Sequence, residues 1–280
     1  MMYIFLIFIF SISYSNQISS ISRDINDLSV MNSNHFIKDV ANKAQNNYYR
    51  LSLMQFPANI LASKLSYGFI YNDYFIQSNL SNINYGKLQN SDGDSFIASD
   101  NLLELAIVKQ YDNNFFIGYS LGYSESKISD YINQNLVHGI GIQKSDKNNK
   151  YITSFAIENM IRTIKSYSNV AIDYSPHLTL GLQLNMRQIG NSISFNYIIL
   201  NDYNDELIIS TKTQIKEIID LYMAKSFYLL SENSTINQSI FNKLSFGIDI
   251  NLNTYQFNCG MQYHKDYGFI AGTSLTINIK

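Results

Sequence analysis

Long stretches of this chain alternate strictly between large apolar residues and small or polar ones. The clearest case begins at Phe115, where Phe115, Ile117 and Tyr119 alternate with Phe116, Gly118 and Ser120. Successive side chains of a β-strand point to opposite faces of the sheet, so this period of two predicts a strand with one apolar and one polar face. The same pattern persists almost to the end of the sequence, and it favours an all-β fold.

The alternation recurs in segments separated by polar turns. Clear runs cover residues 178–187, 244–252, 253–263 and 269–280, and weaker runs cover 65–71, 74–85, 101–110, 136–143, 151–159 and 192–200. Direct counting gives about 12 strands on this criterion. Many of the runs are about 9–11 residues long, the length that a tilted strand needs to cross a bilayer.

Two β architectures fit such strands, a transmembrane barrel and a soluble sandwich. Charged residues form only 15% of the chain and only 2 residues are proline, whereas 14% are aromatic. Soluble domains average about 25% charged residues. An AT-rich genome would also enrich Asn, Ile and Tyr, so composition is secondary to pattern. The faces opposite the apolar ones are rich in Gly and Ser, as a polar lumen allows. We therefore predict an antiparallel outer-membrane β-barrel in contact with outer-membrane lipid.

The N-terminal region has a different character from the rest of the chain. Residues 3–12 are almost unbroken apolar, and Ser13 and Ser15 supply small residues at the −3 and −1 positions of a cleavage site. This run is too short for a membrane-spanning helix, so residues 1–15 are predicted to be a signal peptide. Residues 16–59 are predicted to form an arm or plug, and residues 60–280 the barrel.

One segment departs from the two-residue period. Between Thr211 and Lys225 the apolar residues recur at helical spacing, which predicts an amphipathic helix within a loop insertion near 205–230. The helix would cap a barrel mouth and present the face most suited to contact a partner. The predicted face consists of Ile215, Ile218, Ile219, Tyr222 and Met223.

The sequence contains no recognisable catalytic motif. The 4 histidines lack a metal-ligand spacing, and Cys259 lies on the apolar face of a predicted strand. With a net charge of −2, the chain also lacks the basic balance of a nucleic-acid-binding protein. We expect no enzyme activity, no metal, no cofactor and no nucleic-acid partner.

A few charged residues fall on predicted lumen faces. They would form either a polar constriction or an ordinary water-facing lining, because both avoid exposing charge to lipid. These residues are Glu104, Glu158, Arg187 and Asp249.

Several strand-and-turn segments resemble the PorV/PorQ family of outer-membrane proteins, most closely its PorQ members. The resemblance extends over roughly residues 60–279. The segments that carry it are Ile83-Asn84-Tyr85-Gly86, Ser91-Asp92-Gly93-Asp94, Phe96-Ile97-Ala98-Ser99-Asp100, Ser126-Lys127-Ile128-Ser129-Asp130-Tyr131, Ile157-Glu158-Asn159-Met160 and Ile164-Lys165-Ser166-Tyr167.

The resemblance implies a FadL-like barrel of 14 strands that serves type IX secretion. Such a barrel would anchor a surface-exposed protein of the attachment complex and would carry no catalytic residues. Two alternatives remain open from the sequence. One is a FadL-like outer-membrane channel for hydrophobic small molecules, and the other is a secreted β-protein outside the membrane.

Overall fold

The computed structural model describes residues 46–89, 93–112, 114–167, 176–186, 190–200, 205–216, 218–229, 243–265 and 268–279. They form one closed sheet of 14 strands, in which every strand pairs antiparallel with its sequence neighbours and β1 pairs with β14. The prediction of an all-β, closed antiparallel barrel is confirmed. The described residues contain no helix long and apolar enough to cross a bilayer.

The strands follow one another around the barrel in chain order. Their bounds are β1 Asn47–Gln55, β2 Leu61–Tyr71, β3 Tyr74–Gln89, β4 Ser95–Asp112, β5 Phe115–Ile128, β6 Tyr131–Ser145, β7 Tyr151–Lys165, β8 His177–Met186, β9 Asn191–Leu200, β10 Asp205–Ile215, β11 Ile219–Leu229, β12 Leu244–Leu252, β13 Tyr255–His264 and β14 Gly268–Ile279.

Register keeps the two faces of the sheet chemically separate. Between β12 and β13, Ile248 pairs with Cys259 on the exposed outer face, whereas Asp249 pairs with Asn258 on the buried inner face. Because the side-chain period is two, this division continues along each strand wherever no bulge shifts the register. The outer face is therefore mainly apolar and suited to lipid, and the inner face mainly carries small or polar side chains.

The barrel begins at Asn47, so the prediction that residues 16–59 form an arm or plug is wrong for its last part. β1 alternates Leu51 and Leu53 outward with Arg50 and Ser52 inward, and it closes the barrel. A single 3₁₀ turn at Pro57–Asn59 then leads into β2. The short alternating run was hidden because charged and polar residues dominate its surroundings. Residues 1–15 and the remainder of the predicted arm lie outside the described residues.

The helix predicted between Thr211 and Lys225 is also wrong, because this segment forms the hairpin of β10 and β11. One strand pattern ends at Ile215 and the next begins at Ile219, and together they mimic helical spacing. The five residues of the predicted face therefore do not share a surface. The structure places Ile215 and Ile218 beside the turn, Ile219 and Met223 on the outer face, and Tyr222 on the inner face.

The two ends of the barrel differ. One end, here called the short-turn end, carries tight connections such as residues 72–73 and 253–254, together with the start of β1 and the end of β14. The other, here called the long-loop end, carries the connections from β7 to β8 and from β11 to β12. Outer-membrane barrels place short turns in the periplasm and long loops outside the cell.

The wall is also uneven in height. Strands β3 to β7 are 14–18 residues long, whereas the others have 9–12 residues. Since their short-turn ends are joined by tight turns, the additional residues extend the wall at the long-loop end.

An aromatic pair on the inner wall depends on one glycine. The Tyr48 ring lies over Gly68 of the neighbouring strand and stacks on Phe75, with 6.2 Å between ring centroids. A Cβ atom at Gly68 would come within 2.4 Å of Tyr48 Cε1 and 2.7 Å of Phe75 Cζ. Only glycine leaves room for this arrangement.

We expect Gly68→Ala to destabilise the barrel by about 1–3 kcal/mol, since the added methyl group displaces packed rings. The urea midpoint for loss of the heat-modifiable folded gel band measures this. Gly122→Ala is the matched control and should cost less, because its Cβ first meets the flexible end of Leu102 at 3.0 Å. In a Tyr48→Ala background Gly68→Ala should cost less as well. Additive effects in this double-mutant cycle would contradict the proposed packing.

Candidate functional site in the barrel lumen

The lumen is lined mainly by small and polar side chains. The inner face of β5 carries only glycine and serine from Gly118 to Ser126, and the facing positions of β6 include Asn133 and Asn135, both fully buried. Such side chains offer hydrogen-bond donors and acceptors but neither a nucleophile–base pair nor a cofactor cradle. The chemistry of this wall is therefore that of binding and solvation.

Three of the four predicted lumen charges lie on the inner face. Glu104 accepts a hydrogen bond of 2.9 Å from the Asn79 side-chain amide. Glu158 pairs in register with His177, and Asp249 is 3% exposed. Arg187 lies outside the described residues. The structure does not bring the three carboxylates together, because their strands β4, β7 and β12 lie at separate positions around the barrel.

Asp249 belongs to a polar cluster that the sequence analysis missed. The Lys212 ammonium lies 2.6 Å from the Asp220 carboxylate, and Asp220 pairs in register with Asp249. The Tyr222 hydroxyl donates to both carboxylates at 3.3 Å, and the Gln256 amide donates to Asp249 at 2.5 Å. We call these five residues the lumen polar cluster.

The lumen polar cluster lies on strands β10 to β13 toward the short-turn end. Two carboxylates and one ammonium give the cluster an excess of negative charge. Among the described residues, Lys212 is the one cation beside the paired carboxylates of Asp220 and Asp249. The cluster was missed because β10 and β11 were predicted as a helix. A period of two over residues 220–222 would have placed Asp220 and Tyr222 on the inner face and Leu221 on the outer face.

Further charges line the lumen on strands β1 and β4. Arg50, 2% exposed, donates to the Thr276 hydroxyl at 2.9 Å and lies over the Tyr48 ring at 5.7 Å. On β3 and β4, the Tyr85 hydroxyl donates to Asp100 at 2.5 Å. These charges lie at different heights, because Asp100 pairs in register with Ile83 toward the long-loop end. Arg50 lies in the middle of this wall together with the buried Ser52 and Ser66, and we call these three residues the polar belt.

Apolar side chains lie above and below this belt on the lumen side of the first strands. At the long-loop end Met54, Ala62, Ile83 and Ile270 form a buried group, against which Phe56, Ile60 and Tyr85 pack. We call this group the mouth cluster.

A second apolar group lies near the short-turn end, where Tyr48, Phe75 and Val108 pack together with Phe116. On this wall the lumen therefore passes from apolar through polar to apolar surface.

A separate concavity opens on the lipid side of the barrel. It has a volume of about 400 Å³ and its outward lining residues are Thr153, Leu180, Leu182, Phe195, Tyr197 and Leu207. Because these side chains belong to the outer face, the concavity suits a lipid acyl chain and lies outside the lumen.

We expect Lys212→Met to destabilise the barrel by about 3 kcal/mol, because it leaves two adjacent buried carboxylates without their cation. Adding Asp220→Asn should recover most of this loss. Lys109→Met is the control, since Lys109 lies over the outer-face rings of Tyr74 and Tyr111. Its effect should stay below about 1 kcal/mol. Equal effects of the two lysine substitutions on the urea midpoint would show that the cluster does not depend on this charge pairing.

Comparison with known proteins supports the fold and leaves the family open. No protein-family model and no curated protein matches the sequence. Among solved structures, the CymD monoaromatic hydrocarbon channel aligns with a TM-score of 0.64 and 8% identity, covering 89% of this chain and 93% of that one. The TodX monoaromatic hydrocarbon channel, as its deltaS2 and deltaS2S3 mutants, aligns with TM-scores of 0.58 and 0.57 and identities of 10% and 11%, covering 84% of this chain and 91% of each of those. The chain therefore has the fold of the FadL-like outer-membrane barrels.

Proposed function

We propose that this protein is a FadL-like channel that takes small, largely apolar molecules across the outer membrane. The observation that carries the proposal is the mouth cluster, which places Met54, Ile83 and Ile270 on the lumen side at the long-loop end. A barrel wall needs no apolar side chains facing its lumen, because water or polar groups satisfy that face in ordinary barrels. A solute-binding role explains them.

The order of surfaces along the lumen supports transport rather than storage. An apolar solute gains free energy at the mouth cluster and again near Phe75, and it meets weaker contacts at the polar belt between them. Conduction requires binding that is favourable enough for entry and weak enough for release. Arg50 in the belt and Asp100 beside the mouth cluster would also hydrogen-bond a polar group on the solute. A small molecule with an apolar body and one polar group fits this arrangement best.

The fold comparisons support the same proposal. The CymD and TodX structures named above are monoaromatic hydrocarbon channels. Their identities to this chain are about a tenth, so they bear on architecture, and the substrate class rests on the lumen residues. In this proposal the barrel binds and releases its solute without any chemical step.

We expect Met54→Gln to reduce uptake of radiolabelled toluene and benzyl alcohol into cells that carry the protein. A loss of about tenfold corresponds to about 1.4 kcal/mol of binding at the mouth cluster. Met261→Gln is the matched control, because Met261 points to lipid and is 49% exposed. Heat-modifiable mobility on a detergent gel confirms that each variant is folded. Uptake that is equal in both variants and in cells without the barrel would overturn the proposal.

A second candidate function is the anchoring of a surface partner in type IX secretion. It is supported by the sequence resemblance to the PorV/PorQ family and by the long connections of the barrel, between β7 and β8 and between β11 and β12, which emerge at one end. The helix that was expected to make the contact is absent, so the contact would fall to these connections. Loops on a rigid scaffold commonly carry binding.

Affinity purification after gentle detergent extraction separates the two candidates. The anchoring function predicts stoichiometric recovery of a surface protein together with secretion components, and the recovery should be lost when the β11–β12 connection is shortened. The channel function predicts a barrel without such partners whose uptake activity survives this shortening.

A further inference from the structure

A continuous row of polar side chains crosses the outer face of the tall wall. In register, Asn82 of β3 pairs with Asn101 of β4, Asn101 with Glu125 of β5, Glu125 with Gln134 of β6 and Gln134 with Lys165 of β7. Each of these side chains is on the outer face of its strand. We call the five residues the outer polar row.

The outer polar row marks a sharp boundary. Two residues nearer the short-turn end, strands β3 to β6 carry Leu80, Leu103, Tyr123 and Leu136, again paired in register, and β7 carries Arg162, which pairs with Leu136. Leu80 and Leu103 are 54% and 55% exposed, as lipid-facing residues are. A transmembrane strand needs about 9–11 residues to cross, so the remaining length of these 14–18-residue strands lies beyond the hydrocarbon. The row therefore lies at the level of the lipid headgroups.

Hydrogen bonds fix the row in place. The Asn82 amide donates to the Asn101 carbonyl at 2.8 Å, and the Gln134 amide donates to Glu125 at 2.9 Å. A primary amide has two N–H donors and one carbonyl acceptor, so each bonded amide retains further hydrogen-bonding groups. The row thus presents a ladder of ordered donors and acceptors to whatever lies against the wall.

Three exposed cations flank this ladder. Lys165 ends the row, Arg162 of β7 lies in register with Leu136, just on the short-turn side of the row, and Lys127 lies two residues beyond Glu125 on β5. In the part of the chain that the structure describes, none of the three forms a salt bridge. Glu125 is the single carboxylate of the row. Strands are about 4.8 Å apart, so the cations on β5 and β7 face a common area about 10 Å wide.

We propose that this face binds the phosphorylated sugar headgroup of an outer-leaflet glycolipid. The cations match phosphate, and the amide ladder matches sugar hydroxyls, which both donate and accept hydrogen bonds. A phospholipid headgroup would leave the amide ladder unused. A lipid is the favoured occupant over a protein because the apolar row directly below must contact acyl chains, and the headgroup of the same molecule then reaches the polar row.

The inference goes beyond the proposed transport function and does not depend on which solute crosses the barrel. It predicts that the tall wall of β3 to β7 contacts the headgroups of the outer leaflet, whereas strands β8 to β14 contact mainly acyl chains. Along the described parts of those strands the outward positions are predominantly apolar, as in Leu178, Leu180 and Leu182 of β8.

The test uses the full-length barrel, delipidated in detergent and then mixed with purified lipopolysaccharide. Bound lipid is quantified after repurification. The rim variant combines Lys127→Gln, Arg162→Gln and Lys165→Gln, and we expect it to retain lipopolysaccharide on the order of a hundredfold less well, since each of the three cations near a charged headgroup contributes about 1 kcal/mol. The matched control combines Lys109→Gln, Lys144→Gln and Lys150→Gln at the short-turn end, and it should retain the parental amount.

Two further measurements address the chemistry of the headgroup. Dephosphorylated lipopolysaccharide should bind the parent and the rim variant equally weakly, and Asn101→Ala should lower binding of the intact lipid without removing a charge. If the rim variant does not fold, as judged by heat-modifiable mobility, Lys165→Gln alone should still show reduced retention.

Equal retention by the rim and control variants would overturn the proposal. So would competition by phosphatidylglycerol as effective as that by lipopolysaccharide, because charge alone would then account for binding. Displacement of the lipid by a bound protein partner that requires the same three cations would also overturn it, in favour of a protein-docking face.

Discussion

The structure depends on the pairing of β1 with β14. In a bilayer, a backbone N–H or C=O group without a partner costs several kcal/mol, so a spanning sheet must close on itself. Here nine consecutive residue pairs, from Asn47↔Ile279 to Gln55↔Ala271, join the two ends of the sheet. No strand in the closed sheet is then left with an edge. Once closure gives each strand two neighbours, each side chain points either to the lipid or to the lumen.

In a closed barrel, the buried charges help to specify the register of the strands. On β11, Asp220 and Tyr222 point inward and Leu221 and Met223 point outward, and a slip by one residue would exchange them. Such a slip would move the Asp220 carboxylate from Lys212 into hydrocarbon, where a charged side chain is destabilising by several kcal/mol. The lumen polar cluster therefore opposes misregistration of the hairpin as well as shaping the lumen. Stabilising the correct register and binding a solute are compatible roles for the same groups.

The sequence predicted the architecture well and the site poorly, for a common reason. Period two is a local signal, and it identified β5, β8, β12, β13 and β14 wherever alternation was long. It failed at β1, where Pro57 and a polar neighbourhood interrupt the pattern, and at β10 and β11, where a turn joined two short runs into an apparent helix. The stagger of the strands around the barrel decides which inward residues meet, and no local sequence pattern contains that information. Hence Glu104 and Asp249 were assigned to the right face, but the contact of Asp249 with Asp220 and Tyr222 was not foreseen.

The fold by itself does not choose between a channel and an anchor, because one barrel architecture supports both. The choice depends on the surfaces that a closed membrane barrel does not need for its stability. Polar inward faces and apolar outward faces satisfy the membrane, and they need no further explanation. The mouth cluster is an apolar group on the lumen side of the wall, where closure does not require one. The outer polar row lies on the outer face at the level of the lipid headgroups, so its role is in contacts with the surroundings of the barrel. A function that uses the lumen accounts for the first, and contact with the headgroup layer accounts for the second, without either explanation depending on the other.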